Sequence, residues 1–309
     1  MNRVRRFVAV ITMVVVGLGL ASLAPGETPS AASSRLKVAA TIFPLYDLVR
    51  QVASPLDDVV LLVPPGASPH TFAARPHTIR ALADSTAIFA IGHGVDNWAT
   101  RLAREVGIAR AIVVDEQIAL RPWNAPYGHG RRRSLADRHG MTDPHYWLAI
   151  PNAMRMVHHI AASLGNLNPA GRQGYHQRAA AYGEQLQVVH QDIRQLLVDL
   201  PQRNMATFHP AFSYFAEAYD LHIVATFESS PGREPAPRQV ERFLRLIRAH
   251  NLHVLFVEPQ LPQRPLASLA DDLGITLKGL DPLGGSQGRD SYIAMMRFNA
   301  NQIATALRE

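Results

Sequence analysis

Four side chains that can bind a metal ion, His70, His145, His209 and Asp281, are widely separated along the 309 residues of this chain. Each lies in a short loop or turn that follows or adjoins an apolar run typical of a buried strand. In an open parallel α/β sheet, the loops at the carboxyl ends of the strands converge on one crevice. Three imidazoles and one carboxylate brought together there would form a four-coordinate site that suits zinc.

The residues beside these candidates favour a metal-binding role without excluding simpler ones. His70 lies in a turn rich in glycine and proline that would present its imidazole at the end of a strand. Asp143, two residues before His145, could hold the second imidazole nitrogen, as carboxylates commonly do behind a metal-bound histidine. His209 and Asp281 stand directly after strands. Taken singly, each of the four is also consistent with an ordinary turn or cap residue.

Three further residues are weaker candidates. Glu258 ends another strand and is an alternative or supporting carboxylate ligand. His129 and His139 lie in a polar insertion over 122–141 that also contains several arginines. This composition is more typical of a mobile, solvated loop than of a metal-collecting segment.

The elements that must position these residues follow a βαβ rhythm, which predicts an α/β fold with parallel-rich sheets. Apolar strand-like runs alternate with helical segments in both halves of the chain. We expect two lobes linked by one long rigid helix. The predicted divisions are an N-terminal metal-binding lobe over 35–168, the linking helix over 169–201 and a C-terminal metal-binding lobe over 202–309. The lobes share a similar plan but no sequence repeat.

The segment from Pro169 to Leu200 gives the clearest structural prediction. Asn168 can cap a helix there, and Pro169 suits its first position. Apolar residues recur at alternating steps of four and three, which indicates one buried stripe: Tyr175, Ala179, Tyr182, Leu186, Val189, Ile193, Leu196 and Leu200. At about 1.5 Å per residue, roughly 32 residues would form a rod of about 48 Å that spans both lobes, and Pro201 would end it.

The N-terminus has the layout of a secretory signal peptide. Arg3, Arg5 and Arg6 precede an apolar run over 7–24, and small, mostly polar residues follow, so we expect a signal peptide over 1–34. The apolar run is also long enough for an uncleaved membrane anchor. The chain has no cysteine, which excludes disulfides, thiolate ligands and a lipid attached to cysteine. We expect a periplasmic protein without a lipid anchor.

Other function classes find little support in the sequence. The formal net charge is +6, and the basic residues are spread along the chain rather than gathered in the stripe typical of a nucleic-acid-binding surface. We therefore expect no nucleic-acid partner. No H-E-x-x-H pair occurs, and the glycine-rich stretch over 284–288 lacks the strand-and-helix frame of a dinucleotide loop.

Five segments, in order along the chain, resemble the metal-specific solute-binding proteins of ABC transporters, the cluster A-I zinc and manganese uptake family. They are Pro64–His70, Asp143–Leu148, Thr207–Phe215, Phe256–Gln260 and Leu280–Gly284. The resemblance extends from about Leu36 to the C-terminus. It implies that the four candidate ligands surround one metal ion between two lobes joined by a long helix. It also implies a non-enzymatic binding protein that docks on a membrane permease, and we expect a monomer.

Zinc is the expected cargo and manganese the alternative. In the family, histidine at the third ligand position is typical of zinc proteins, whereas manganese and iron proteins often have glutamate there, so His209 favours zinc. Many zinc members carry a long His-rich loop where this chain has only His129 and His139, which weakens that argument. Two other hypotheses stay open: a zinc-dependent hydrolase with one ligand position left for water, and an adhesin or structural protein.

The resemblance also implies how acid should act on the site. Only deprotonated imidazoles bind a metal ion. We therefore expect metal affinity to fall as the pH drops through the range in which imidazoles titrate.

Overall fold

The computed structural model describes residues 35–123, 142–228, 235–260 and 264–308, all of which belong to one compact unit. The predicted signal peptide lies outside these residues, and so do His129 and His139. Among the helices in the described ranges, none combines the length and the hydropathy needed to cross a membrane.

The first sheet carries the N-terminal part of the candidate site. Its strands are β1 (Lys37–Ala40), β2 (Asp58–Leu61), β3 (Ala87–Ala90) and β4 (Ala111–Val113), connected in turn by helices α1 (Phe43–Val52), α2 (Pro76–Ala81) and α3 (Asn97–Glu105). All strands pair in parallel in the order β2-β1-β3-β4. Phe89 of β3 packs into the main core, while its neighbour Ile88 packs into a smaller one. The strand is continuously apolar because both of its faces are covered.

Two long helices follow the first sheet. They are α4 (Ile150–Leu167) and α5 (Arg172–Leu197), separated by one turn of 3-10 helix over Pro169–Gly171. The predicted capping bond of Asn168 is not made; its side-chain amide donates to the Tyr175 hydroxyl instead. α5 ends before Pro201, since the α-helical conformation is disfavoured just before proline. Its 26 residues correspond to a rod of roughly 39 Å, shorter than predicted.

The predicted apolar stripe of α5 forms one buried face. Its buried members are Tyr175, Ala179, Tyr182, Leu186, Val189 and Ile193. At the C-terminal end Leu197 takes the buried position, and the predicted Leu196 is only partly buried. The reason is geometric. Four residues after Ile193, position 197 lies closer to the centre of the buried stripe than position 196 does. α5 packs against α4 and α1.

The second sheet repeats the plan of the first. It contains β5 (Asn204–Thr207), β6 (His222–Thr226), β7 (Val254–Val257) and β8 (Thr276–Gly279). The strands pair in parallel in the order β6-β5-β7-β8. The connections are a 3-10 turn at Pro210–Phe212 with α6 (Ser213–Ala218), then α7 (Pro237–Ala249) and α8 (Arg264–Leu273). The predicted fold class, two parallel α/β sheets with a long helix between them, is confirmed.

The last helix, α9 (Tyr292–Ala306), ties the two halves together. It packs against α5 and also against α1. At its start, the Tyr292 backbone N–H donates to Oδ2 of buried Asp47 in α1 at 2.8 Å. The boundaries proposed for the two lobes remain a prediction, since contacts such as this one cross them.

Candidate metal centre

Three imidazoles from distant loops meet at one point. The Nε2 atoms of His70 and His209 each lie 3.4 Å from Nε2 of His145. The ligand atoms of all three residues lie within 4.8 Å of one another. Two nitrogens bound at about 2.05 Å to one tetrahedral zinc ion are roughly 3.4 Å apart. The spacing of the two pairs that include His145 therefore matches the one that a single ion requires.

His70 is placed by the loop that follows β2. Pro64 and the residue after it cannot continue the strand, and Gly66 adopts a φ of +83° that favours glycine. The Ala67 N–H closes the turn by donating to the Pro64 carbonyl at 3.1 Å. The proline-rich segment before β3 thus turns back and brings the imidazole toward the centre.

His145 is oriented by Asp143, as the sequence predicts. The Asp143 carboxylate accepts a hydrogen bond from Nδ1 of His145 at 2.8 Å and one from its backbone N–H at 3.0 Å. Both side chains are buried. Because a carboxylate accepts the Nδ1 proton, the lone pair of the neutral ring is on Nε2, which faces the other two imidazoles.

Removing this carboxylate is expected to weaken metal binding. In Asp143→Ala the His145 ring loses the acceptor that fixes its tautomer and direction, so zinc affinity should fall about 10–100-fold. Competition against a zinc chelator measures the change. Asp115→Ala is the matched control, because Asp115 contacts His93 at 2.8 Å and His93 is not in the three-histidine group. Equal zinc affinities for Asp143→Ala and wild type would contradict the prediction.

His209 is placed by the junction between β5 and the following 3-10 turn. The residue occupies the cap position with an extended backbone and is about 2% exposed. Its Nδ1 is buried and has no hydrogen-bond partner among the described residues. An imidazole with one unsatisfied nitrogen contributes little to folding, so its place in the core points to a ligand-binding role.

Burial keeps two of the rings neutral. Burial lowers the pKa of His70 to about 3, with a smaller contribution from repulsion by His145. Burial also lowers the pKa of His209 well below its usual value, and His145 and His70 lower it further. At neutral pH these rings are therefore free of the proton that would compete with a cation.

Asp281 is the exception among the four predicted ligands. It is about 1% exposed but lies outside the group formed by the histidines. Its Oδ1 accepts hydrogen bonds from Gln260 Nε2 at 2.7 Å and from the backbone N–H groups of Leu283 and Gly284 at 3.0 and 2.9 Å. Its Oδ2 lies 2.8 Å from Nε of Arg289. The structure thus brings three of the four candidates together, because the turn after β8 closes around the fourth.

Glu258 lines the same small pocket as the three histidines. Burial raises the pKa of this carboxyl well above its usual range, and Asp281 and Glu228 raise it further. It lies outside the three-histidine group. The sequence identified Glu258 as an alternative carboxylate, and the structure places it on the pocket wall.

Two tryptophans that the sequence did not single out for this role flank the imidazoles. The Trp123 ring lies 5.9 Å from the His145 ring and 6.0 Å from the His209 ring, between centroids. The Trp147 ring lies 5.2 Å from that of His145, and its Nε1 donates to the Pro282 carbonyl at 2.8 Å. No local sequence pattern marks Trp123, because its contacts depend on three separate loops.

Comparison with known proteins identifies the family to which this chain belongs. The family model described as zinc-uptake complex component A, periplasmic, matches residues 38–306. The manganese-binding lipoprotein MntA of Halalkalibacterium halodurans is 26% identical over 308 residues, which cover 98% of this chain and 97% of MntA.

Two solved structures are similar over most of the chain. One is a deletion mutant of ZnuA with zinc bound, 26% identical with a TM-score of 0.76, covering 89% of this chain and 99% of the other. The second is the binding protein FpvC of Pseudomonas aeruginosa with Mn²⁺, 26% identical with a TM-score of 0.75 and the same coverage. The chain belongs to the family of zinc-uptake complex component A, the metal-binding substrate-binding proteins of ABC transporters.

Proposed function

We propose that this protein captures a divalent metal ion, zinc in preference to manganese, and delivers it to the permease of an ABC transporter. The observation that carries the proposal is the convergence of His70, His145 and His209, whose ligand atoms lie within 4.8 Å of one another and whose two Nε2 pairs with His145 have the spacing of one tetrahedral ion. These nitrogens lie in a buried pocket. Their lone pairs do not stabilise one another, and a bound cation would accept all of them. We assign all three residues as ligands.

The choice of zinc is supported by the donor set. Three imidazole nitrogens suit zinc, whereas manganese prefers oxygen ligands, and zinc binds more tightly than manganese at a given mixed site. The relatives leave both metals open, because MntA is named for manganese and the ZnuA mutant contains zinc. The nitrogen-rich group of this chain therefore carries the argument for zinc.

A carrier role fits the site better than hydrolysis. His145 and His209 are each about 2% exposed, and Trp123 and Trp147 lie against them. A bare ion can occupy such a pocket, but an ester or a phosphate would find little room beside the metal. Transport families of this kind bind their substrate and release it unchanged.

The place of action forms part of the proposal. We propose that the protein works as a monomer in the periplasm, after export by a signal peptide over 1–34, and that it hands the ion to its permease there. MntA is a lipoprotein by name, which runs against our expectation of a protein without a lipid anchor. The chain has no cysteine to carry such a lipid.

Titration of the purified mature protein tests the proposal. We expect about one zinc ion per chain and an affinity for zinc at least roughly tenfold above that for manganese, as the order of divalent metals predicts. Metal content after native purification and chelator competition give both values. Failure to bind either metal contradicts the transport function, and tighter binding of manganese contradicts the choice of zinc. Metal-dependent hydrolysis of an ester, phosphate or lactam would support the enzyme instead.

A further inference from the structure

The backbone of Asp281 is fixed by a buried asparagine. Asn299, in the middle of α9, is fully buried. The Asp281 N–H donates to its Oδ1 at 2.8 Å, and its Nδ2 donates to the Asp281 carbonyl oxygen at 2.8 Å. Because this backbone is held on both sides, rotation of the side chain is the simplest way for the carboxylate to change partners.

The carboxylate has a cationic partner in Arg289. Nε of Arg289 lies 2.8 Å from Oδ2 of Asp281, and the two side chains are 22% and 2% exposed. A charge-assisted hydrogen bond shielded from water is stronger than an exposed ion pair. With Oδ1 already bonded to Gln260 and to two backbone N–H groups, both oxygens are occupied.

Arg289 is held independently of Asp281. Its Nε and Nη2 lie 3.1 and 2.7 Å from Oγ of Ser286, and its guanidinium lies 4.5 Å from the centroid of the Phe298 ring. The Gly285 N–H donates to the Arg289 carbonyl at 2.8 Å and closes the loop. If the carboxylate turned away, the guanidinium would keep these partners, so the exchange would not leave a half-buried cation unpaired.

The Asp281–Arg289 pair adjoins the metal centre. The two residues that follow Asp281, Pro282 and Leu283, line the pocket of the three histidines. The Pro282 carbonyl accepts the hydrogen bond from Trp147, whose ring contacts His145. The carboxylate is therefore one residue from the pocket wall while its oxygens contact other groups.

We propose that Arg289 is a positioning residue that competes with the metal ion for the Asp281 carboxylate. The inference rests on the proposed function. In the empty site Arg289 holds the carboxylate away from the imidazoles; a bound divalent cation attracts it, and Asp281 exchanges the guanidinium for the ion as the fourth ligand. The competition weakens binding and gives the carboxylate a partner to return to when the ion leaves.

The variant Arg289→Met tests the competition. Methionine keeps an unbranched stem against Phe298 but removes the charge, so zinc should bind roughly tenfold more tightly, the effect expected from losing one charge-assisted hydrogen bond. Arg297→Met is the matched control. It too removes an arginine, one that lies in α9 itself and whose partner is the exposed Asp192 at 2.9 Å. Chelator competition and chelator-driven release give affinity and dissociation rate for each protein.

A double-mutant cycle separates competition for Asp281 from general repulsion of the cation. If Arg289 acts through the carboxylate, Arg289→Met should have no effect in an Asp281→Asn background. An undiminished gain in that background overturns the proposal, and so does an unchanged or weakened affinity in Arg289→Met alone. If wild type binds no metal, the proposed function itself fails, and that result is distinct from these.

A structure of the zinc-loaded wild type tests the same point without any variant. We expect Oδ2 of Asp281 to leave Nε of Arg289 and to bind the ion. Zinc bound with the 2.8 Å contact retained overturns the proposal.

Discussion

His209→Ala is expected to abolish tight zinc binding and to cost the metal-free fold little. Zinc sites of four ligands bind with roughly 10–16 kcal/mol, so one ligand accounts for about 2.5–4 kcal/mol, a loss on the order of 100-fold. The fold should tolerate the change because Nδ1 of His209 is buried without a partner among the described residues. Within the described ranges, the polar contact of its Nε2 is with another imidazole, that of His145. Isothermal titration and urea unfolding of the metal-free protein give both quantities.

The control for this variant is a histidine outside the centre. His158→Ala removes an exposed imidazole from α4 and should leave zinc affinity unchanged. Zinc binding by His209→Ala within tenfold of wild type would contradict its assignment as a ligand. A large loss of stability in the metal-free variant would instead show that the ring is a core residue.

The second large effect concerns the stability of the metal-free protein in acid. The folded-state pKa of His209 is lowered well below 6.5 by burial, so the unfolded chain binds a proton at this residue that the folded protein does not. The contribution of His209 to the free energy of unfolding is therefore fully present above the unfolded-state pKa. It decreases by about 1.4 kcal/mol per pH unit as the pH drops below that pKa. This loss continues for as long as the unfolded chain binds the proton and the folded protein does not.

A difference measurement is needed because other groups act in the opposite direction. Burial raises the pKa values of Asp47, Asp96 and Glu258, and these carboxyls favour the folded state as the pH falls. Comparing His209→Ala with wild type cancels their contribution. We expect the free energy of unfolding of the variant, relative to wild type, to rise as the pH falls from 7 to 5, with a limiting slope of about 1.4 kcal/mol per pH unit. Urea unfolding with a chelator present measures it, and parallel pH profiles would contradict it.

The lowered pKa values also bear on an expectation drawn from the sequence, which stays a prediction. The sequence suggested that metal affinity falls as the pH drops through the usual imidazole range. Burial moves proton competition at His70, whose pKa is about 3, and at His209 below that range. Protonation of these two rings therefore does not weaken binding at the mildly acidic pH at which free imidazole would be charged.

Much of the fold could be predicted because it depends on local periodicity. In the second sheet, for example, proline starts α7 (Pro237–Ala249), and a short apolar run forms β7 (Val254–Val257). The stripe of α5 was also predictable. Its ends were not, because helix ends depend on competing contacts such as the one between Asn168 and Tyr175.

The candidate site could also be predicted only in part from the sequence. Strand ends and turn residues indicated His70, His145 and His209, and the spacing of two residues indicated Asp143 behind His145. The same pattern indicated Asp281, but its side chain is bonded to Gln260 and Arg289 instead. A pattern of strand ends locates a backbone position, whereas the direction of a carboxylate depends on which donors the rest of the fold brings near it.

The sequence by itself determined the two parallel sheets, the long helix and the loops from which three imidazoles and a carboxylate could meet. The reason is that apolar periodicity and turn residues act over a few neighbouring positions. Only the tertiary structure decided that the three imidazoles lie within reach of one ion, that Trp123 flanks them and that Arg289 holds Asp281. Those contacts join residues from distant parts of the chain, and their distances depend on how α1, α5 and α9 pack against one another.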